Sequence, residues 1–172
     1  MPLHRMWITA AADYNIRGWK IDFTDKDSPG EELFCLFAHM KQITDLVEMN
    51  SPRMLASSSL DGKIKLWDLT DFNLVTELKS PGTVQRGVRG LTYNYEYGSN
   101  LLSYGFELHV NVWCPEVSIT RAFIGKLEGH SALVVMCIFI VNSPNCISVD
   151  DRANIRIWDI RAMSTVQVIS SE

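Results

Sequence analysis

Four tryptophans in one phase constrain this chain more than any other feature. Trp19, Trp67, Trp113 and Trp158 lie 48, 46 and 45 residues apart, and each ends a short run of alternating side chains: NIRGW, KIKLW, HVNVW and NIRIW. Ten residues ahead of each stands a hydroxyl: Thr9, Ser57, Ser103 and Ser148. Six ahead stand Asp13, Asp61 and Glu107; the fourth repeat has Arg152 there, with Asp150 and Asp151 just before it. Twenty-eight ahead of Trp67 and Trp158 stand His39 and His130, whereas Trp113 has Gln85 at that place. Between Leu55 and Asp68 the chain reads LASSSLDGKIKLWD. Its Asp61-Gly62 step between two apolar-rich runs predicts a tight hairpin, because glycine tolerates the positive φ such turns need.

The pattern resembles the WD40 repeat family, whose repeats of about 40–45 residues make four-stranded propeller blades. The resemblance covers nearly the whole chain. It implies an all-β fold: a partial WD40 β-propeller of about four consecutive four-stranded blades, the first lacking its innermost strand. The chain is expected to be one segment, residues 1–172, with repeats near 1–38, 39–82, 83–127 and 128–172. Closed propellers need about 4–8 blades, and the strand and His-bearing loop that should precede Met6 would lie upstream of Met1. The chain is therefore expected to be a fragment of a larger propeller.

The resemblance also implies one hydrogen-bonded tetrad per blade. Repeat two carries a full set in His39, Ser57, Asp61 and Trp67. Repeat four carries His130, Ser148 and Trp158 with either Asp150 or Asp151. Repeats one and three carry partial sets: Thr9, Asp13 and Trp19, then Ser103, Glu107 and Trp113. A buried indole N–H needs an acceptor, since an unpaired buried donor costs roughly 1–3 kcal/mol. A Ser–His–Asp chain supplies acceptors in series. The same residue types could suggest a hydrolase triad, but a single active site would not recur at one spacing. No metal-ligand spacing, phosphate-cradling glycine loop or nucleophile elbow is present. No catalytic residue, metal or cofactor is expected.

Composition narrows the partners. The net charge of −4 argues against a general nucleic-acid role, which favours a basic face. No apolar run reaches the roughly 20 residues needed to span a bilayer; the longest, Ala132 to Val141, reads as a buried strand. Met1 to Ala12 lacks the apolar core and cleavage site of a signal peptide, so a cytoplasmic or cytoskeletal protein is expected. Cys35, Cys114, Cys137 and Cys146 show no C-x-x-C spacing and read as reduced, mostly buried thiols. Other proteins are the expected partners, within a large complex, rather than nucleic acid, membrane or a small-molecule substrate.

Two features lie outside the repeat register. Trp7 reads as packing, with an exposed contact role as the alternative. Tyr93, Tyr95 and Tyr97 alternate, so on a strand they would share one face; they read as packing against the next blade or as a partner-binding aromatic patch.

A narrower resemblance rests on YGFELHVNVWCPEV and KLEGHSALVV. Gly105, Phe106, Glu107, Trp113, Leu127, Gly129 and His130 are similar to a subgroup of large ciliary and flagellar WD-repeat proteins, some with EF-hands. That implies a non-catalytic interaction scaffold of the axoneme. No EF-hand loop occurs in these residues. An alternative is a substrate receptor of a cullin-type ubiquitin ligase, because Trp158-Asp159-Ile160-Arg161 resembles the W-D-x-R motif with which such receptors bind their adaptor. Arg161 would then be the adaptor contact. As a local pair, Asp159–Arg161 would contribute only about 0–1 kcal/mol.

Overall fold

A computed structural model describes residues 6–21, 30–49, 53–79, 86–116 and 121–170. The polar loop from Thr24, the Ser80-Pro81-Gly82 break, Gln85 and the expected Ile119 start of an outer strand lie outside those residues. The described chain is all β, in four antiparallel sheets. The first has three strands, β1 (Met6–Ala10), β2 (Asn15–Lys20) and β3 (Glu31–Phe37). The second has β4 (Ile43–Met49), β5 (Met54–Ser59), β6 (Ile64–Asp68) and β7 (Leu74–Leu78). The third has β8 (Val88–Asn94), β9 (Asn100–Gly105), β10 (His109–Trp113) and β11 (Phe123–Glu128). The fourth has β12 (Val134–Phe139), β13 (Asn145–Asp150), β14 (Ile155–Asp159) and β15 (Ser164–Ile169). Strands follow chain order in every sheet, as short hairpin connections dictate. This is a partial propeller, and its first blade shows three strands among the described residues.

The alternation of each strand sends one set of side chains to each face. Three apolar cores result, one in each seam between consecutive sheets. Ile16, Leu55 and Trp67 share the first, Leu66, Leu101 and Trp113 the second, and Leu102, Val112 and Trp158 the third. Each tryptophan thus packs back on the preceding sheet. Trp19 has no preceding sheet among the described residues and is only half-buried. Trp7 lies directly opposite Trp19 in the β1–β2 ladder and is 49% exposed. It lies on the face that no described sheet covers, rather than in a core.

Polar contacts pin one blade to the next. Asp45 sits beside a bulge in β4, where one carboxylate oxygen accepts Leu46 N–H at 2.9 Å and the other accepts Leu91 N–H of the third sheet at 2.9 Å. The neighbouring Thr44 hydroxyl donates to Val88 C=O at 2.9 Å. At the turns, the residue five before the tryptophan takes a left-handed conformation in three blades: Tyr14 at φ 71°, Gly62 at 86° and Ala153 at 63°. Only glycine does so without a Cβ clash. Ala153→Gly is therefore expected to stabilise the chain by about 0.5–1 kcal/mol, read as a rise in the urea midpoint.

Candidate functional site

The central strands β5 and β6 position the repeat-two tetrad. Ser57 sits mid-strand in β5, and Trp67 pairs with Leu55 in β6, two residues along the same face. That register brings the indole Nε1–H to 2.9 Å from Ser57 Oγ, to which it donates. His39 enters from the β3–β4 connection, with Nε2 2.8 Å from Ser57 Oγ. Its Nδ1 lies 3.1 Å from Asp61 Oδ2 in the β5–β6 turn. Asp61 is held in turn by Met40 N–H at 3.0 Å and Lys63 N–H at 2.9 Å. One proton arrangement satisfies the whole chain: the indole donates to Ser57, the Ser57 hydroxyl to a neutral His39 Nε2, and Nδ1–H to the Asp61 carboxylate.

Repeat four repeats the arrangement with one substitution of route. Trp158 Nε1–H donates to Ser148 Oγ at 2.7 Å, and His130 Nε2 lies 2.6 Å from the same hydroxyl. The carboxylate is Asp150, 3.0 Å from His130 Nδ1. Asp151 points out to solvent. Asp150 ends strand β13, whereas Asp61 lies in the turn itself, yet both reach the same histidine nitrogen. Asp150 Oδ1 also accepts Arg152 N–H at 3.0 Å and Asn154 N–H at 2.9 Å, tying off the turn from inside.

The partial sets are simpler. Trp19 Nε1–H donates to Thr9 Oγ1 at 2.8 Å, and Trp113 Nε1–H donates to Ser103 Oγ at 2.9 Å. Asp13 reaches no histidine among the described residues; it pairs with Arg17, whose guanidinium first of all lowers its pKa to about 2. Glu107 pairs instead with His109 of its own hairpin. A residue behind the tetrad also differs. Arg156 stacks near Trp158 and occupies the space a Gly129 Cβ would fill, 2.7 Å from one of its nitrogens. Repeat two has Ala38 there, and the slimmer Lys65 Nζ reaches the Ala38 carbonyl at 2.5 Å.

Burial decides what these residues can do. His39 and Ser57 are 0% exposed, so the hydroxyl is out of reach of any substrate. Burial pushes the His39 and His130 pKa values below the ordinary range, against the pull of Asp61 and Asp150. Burial also lowers His109, opposed by Glu107. For Asp61, burial acts to raise the pKa, but the Met40 and Lys63 N–H donors prevail and hold it low. Stability therefore declines with acid in two stages. Below the ordinary histidine pKa of about 6.5 the unfolded chain takes up protons that the folded histidines resist. Below about 4 the unfolded carboxylates protonate before the folded ones do. The melting temperature is expected to fall steadily from pH 7.5 to 5.5; a rise over that range would show the histidines charged in the fold.

The aromatic triplet is not a strand face. β8 ends at Asn94, whose side-chain oxygen accepts Glu96 N–H at 2.8 Å and turns the chain. Tyr93 is on the strand, where its hydroxyl donates to Glu116 at 3.2 Å. Tyr95 and Tyr97 lie in the turn, with Gly98 and Ser99 at positive φ. Tyr97 O–H reaches across to Asn142 C=O of the fourth sheet at 3.0 Å. In the Trp158–Arg161 stretch, Trp158 and Ile160 are buried and Arg161 lies 3.4 Å from Asp159. Cys114, Cys137 and Cys146 are buried free thiols, whereas Cys35 is exposed.

The WD domain, G-beta repeat family matches residues 30–68 and 121–159. The chain carries WD40 repeats. The two matched WD40 units are those with complete His–Ser–Trp chains. Each unit straddles two sheets: the first runs from β3 through β6, the second from β11 through β14. A WD40 unit thus links neighbouring blades covalently, and such repeats build scaffolds for protein–protein interaction. Over 135 residues the chain is 35% identical to Cilia- and flagella-associated protein 337 B of Tetrahymena thermophila, covering 78% of this chain and 10% of that protein. It is 33% identical to Nuclear distribution protein nudF of Aspergillus niger over 69% of this chain and 26% of that protein. It is 25% identical to U3 small nucleolar RNA-associated protein 21 homolog of Schizosaccharomyces pombe, over 76% of this chain and 14% of that protein. The chain thus spans between a tenth and about a quarter of these relatives' lengths.

Sequence reasoning missed Asp45 and Arg121. A carboxylate inside an apolar strand is a readable signal for Asp45. Arg121 has none, because its surroundings come from four separate turns.

Proposed function

We propose that this chain is a non-catalytic interaction segment of a larger β-propeller in the axoneme of a cilium or flagellum. The observation that carries the axonemal part is the 35% identity to the Tetrahymena cilia- and flagella-associated protein across 78% of the chain. The Gly105-Phe106-Glu107 turn and the Leu127-x-Gly129-His130 opening support it.

The larger propeller is supported by the last sheet. Positions eleven, three and one before each tryptophan face the following blade. In the second sheet these are Ala56, Ile64 and Leu66, and in the third Leu102, Val110 and Val112, all covered to 2% exposure or less. In the fourth they are Ile147, Ile155 and Ile157, which are only half-buried. Around them Met136 and Ile138 are 52% and 48% exposed. A sheet face of this composition is a stacking surface, since soluble chains seldom leave so much contiguous apolar area open.

The test is fractionation. Tagged chain expressed in a ciliated cell is expected in the detergent-resistant axoneme, co-sedimenting with its microtubules. Recovery only in the soluble matrix or the cell body would refute the axonemal reading. The adaptor reading for Arg161 gains no support from the relatives above, and its contact with Asp159 has a local explanation in the turn.

A further inference from the structure

A cleft of about 490 Å³ opens between the third and fourth sheets, at the strand ends opposite the His–Ser–Trp chains. Its volume falls in the range of about 300–1,000 Å³ common to ligand sites. Cys114, Pro144 and Ile160 supply apolar walls, and Arg121 and Arg161 supply two guanidinium groups with no carboxylate in the lining among the described residues. That charge is contrary to the chain's net charge of −4. Arg121 makes no hydrogen bond or ion pair with any described residue. Arg161 has only Asp159 of its own turn, with its side chain 74% exposed.

The walls are braced before anything binds. Tyr97 O–H donates across the seam to Asn142 C=O, Cys114 S–H donates to Gly98 C=O at 3.4 Å, and Ile160 N–H donates to Pro144 C=O at 3.4 Å. Little ordering remains for a ligand to impose, which favours binding. The lining includes Tyr97, which is 41% exposed, and an exposed tyrosine beside arginines is the composition of protein-binding hot spots. A small molecule would need far more enclosure than this open cleft offers.

We propose that the cleft binds an extended segment of a partner protein in which an Asp or Glu lies beside a bulky apolar residue. The carboxylate engages Arg121 and Arg161, for which guanidinium forks are well matched, and the apolar side chain rests against Cys114 and Ile160. This deepens the scaffold reading and rests on it. Failure here would remove the cleft as a docking site, while the axonemal fractionation would still stand or fall separately.

The test is selection from a random dodecapeptide phage library on the full chain, followed by fluorescence anisotropy with the enriched peptide. The expected consensus places Asp or Glu within two positions of Leu, Ile, Phe or Trp. The Arg121→Gln/Arg161→Gln double variant should bind that peptide at least about tenfold more weakly, with Arg53→Gln as an unaffected control. Ile124→Glu, which sets a carboxylate in the cleft lining, should also abolish binding. Each variant changes an exposed side chain, and an unshifted melting curve verifies its fold. A selected pool without the acidic–apolar pairing would overturn the proposal, as would undiminished binding by the double variant or by Ile124→Glu.

Discussion

Trp67→Ala is expected to lower the stability of the chain by about 3–5 kcal/mol. The indole is 6% exposed in the first seam, among Ile16, Ala38, Ile43 and Leu55. Its removal leaves a cavity that two rigid sheets cannot close, and it deprives Ser57 Oγ of its N–H donor. Trp67→Phe separates the two effects: much of the packing survives, the donor does not, and the expected loss is about 1–2 kcal/mol. Trp19→Ala is the comparison. The same side chain, bonded to the same kind of hydroxyl, lies on an uncovered face, so its loss should be well under half that of Trp67. Stacked blades contact only their neighbours, so the damage should also be local. Hydrogen exchange should accelerate in β1 to β3 and around β5, while β12 to β15 keep their protection. Equal losses for Trp19 and Trp67 in urea denaturation would mean that the seam is not what makes the tryptophan matter.

Asp150→Ala should destabilise the chain by about 3–5 kcal/mol, whereas Asp151→Ala should change stability by no more than about 0.5 kcal/mol. Asp150 is 2% exposed and serves His130 Nδ1–H, two turn N–H groups and the Asn154 side chain at once. Removing it strands the buried His130 Nδ1–H and unties the half-buried turn at once. Asp150→Asn keeps the acceptor oxygen for the turn but sets an amide against the imidazole, so its loss should fall between the other two. Thermal melts of the three variants at pH 7.5 decide the matter. A larger loss for Asp151 than for Asp150 would reverse the assignment of the fourth tetrad.

The strand pattern was largely legible in the chain. β5 and β6 flank the Asp61-Gly62 step as the hairpin reading predicts, and Gly62 takes the positive φ that this step demands. These are local matters: side-chain period, turn chemistry and the distance a hairpin can reach. The tyrosine triplet failed for an equally local reason. Alternation at Tyr93, Tyr95 and Tyr97 looks like a strand, but the Asn94 side chain captures the Glu96 N–H and ends the ladder first. Trp7 could be read either way, since an aromatic residue in a strand packs or stands exposed according to whether a second sheet arrives to cover it.

What the residues determined alone was therefore the repeat pattern: which hydroxyl receives each indole, and that His39 and His130 belong with Trp67 and Trp158. Tertiary structure decided the rest. It selected Asp150 over Asp151, because only a residue at the end of β13 points into the seam. It turned Asp13 and Glu107 to partners within their own hairpins, and it brought Arg121 and Arg161 to one cleft across two blades. Spacing along a chain fixes which groups share a strand face. Which groups meet across a seam depends on how two sheets stack, and no single repeat contains that information.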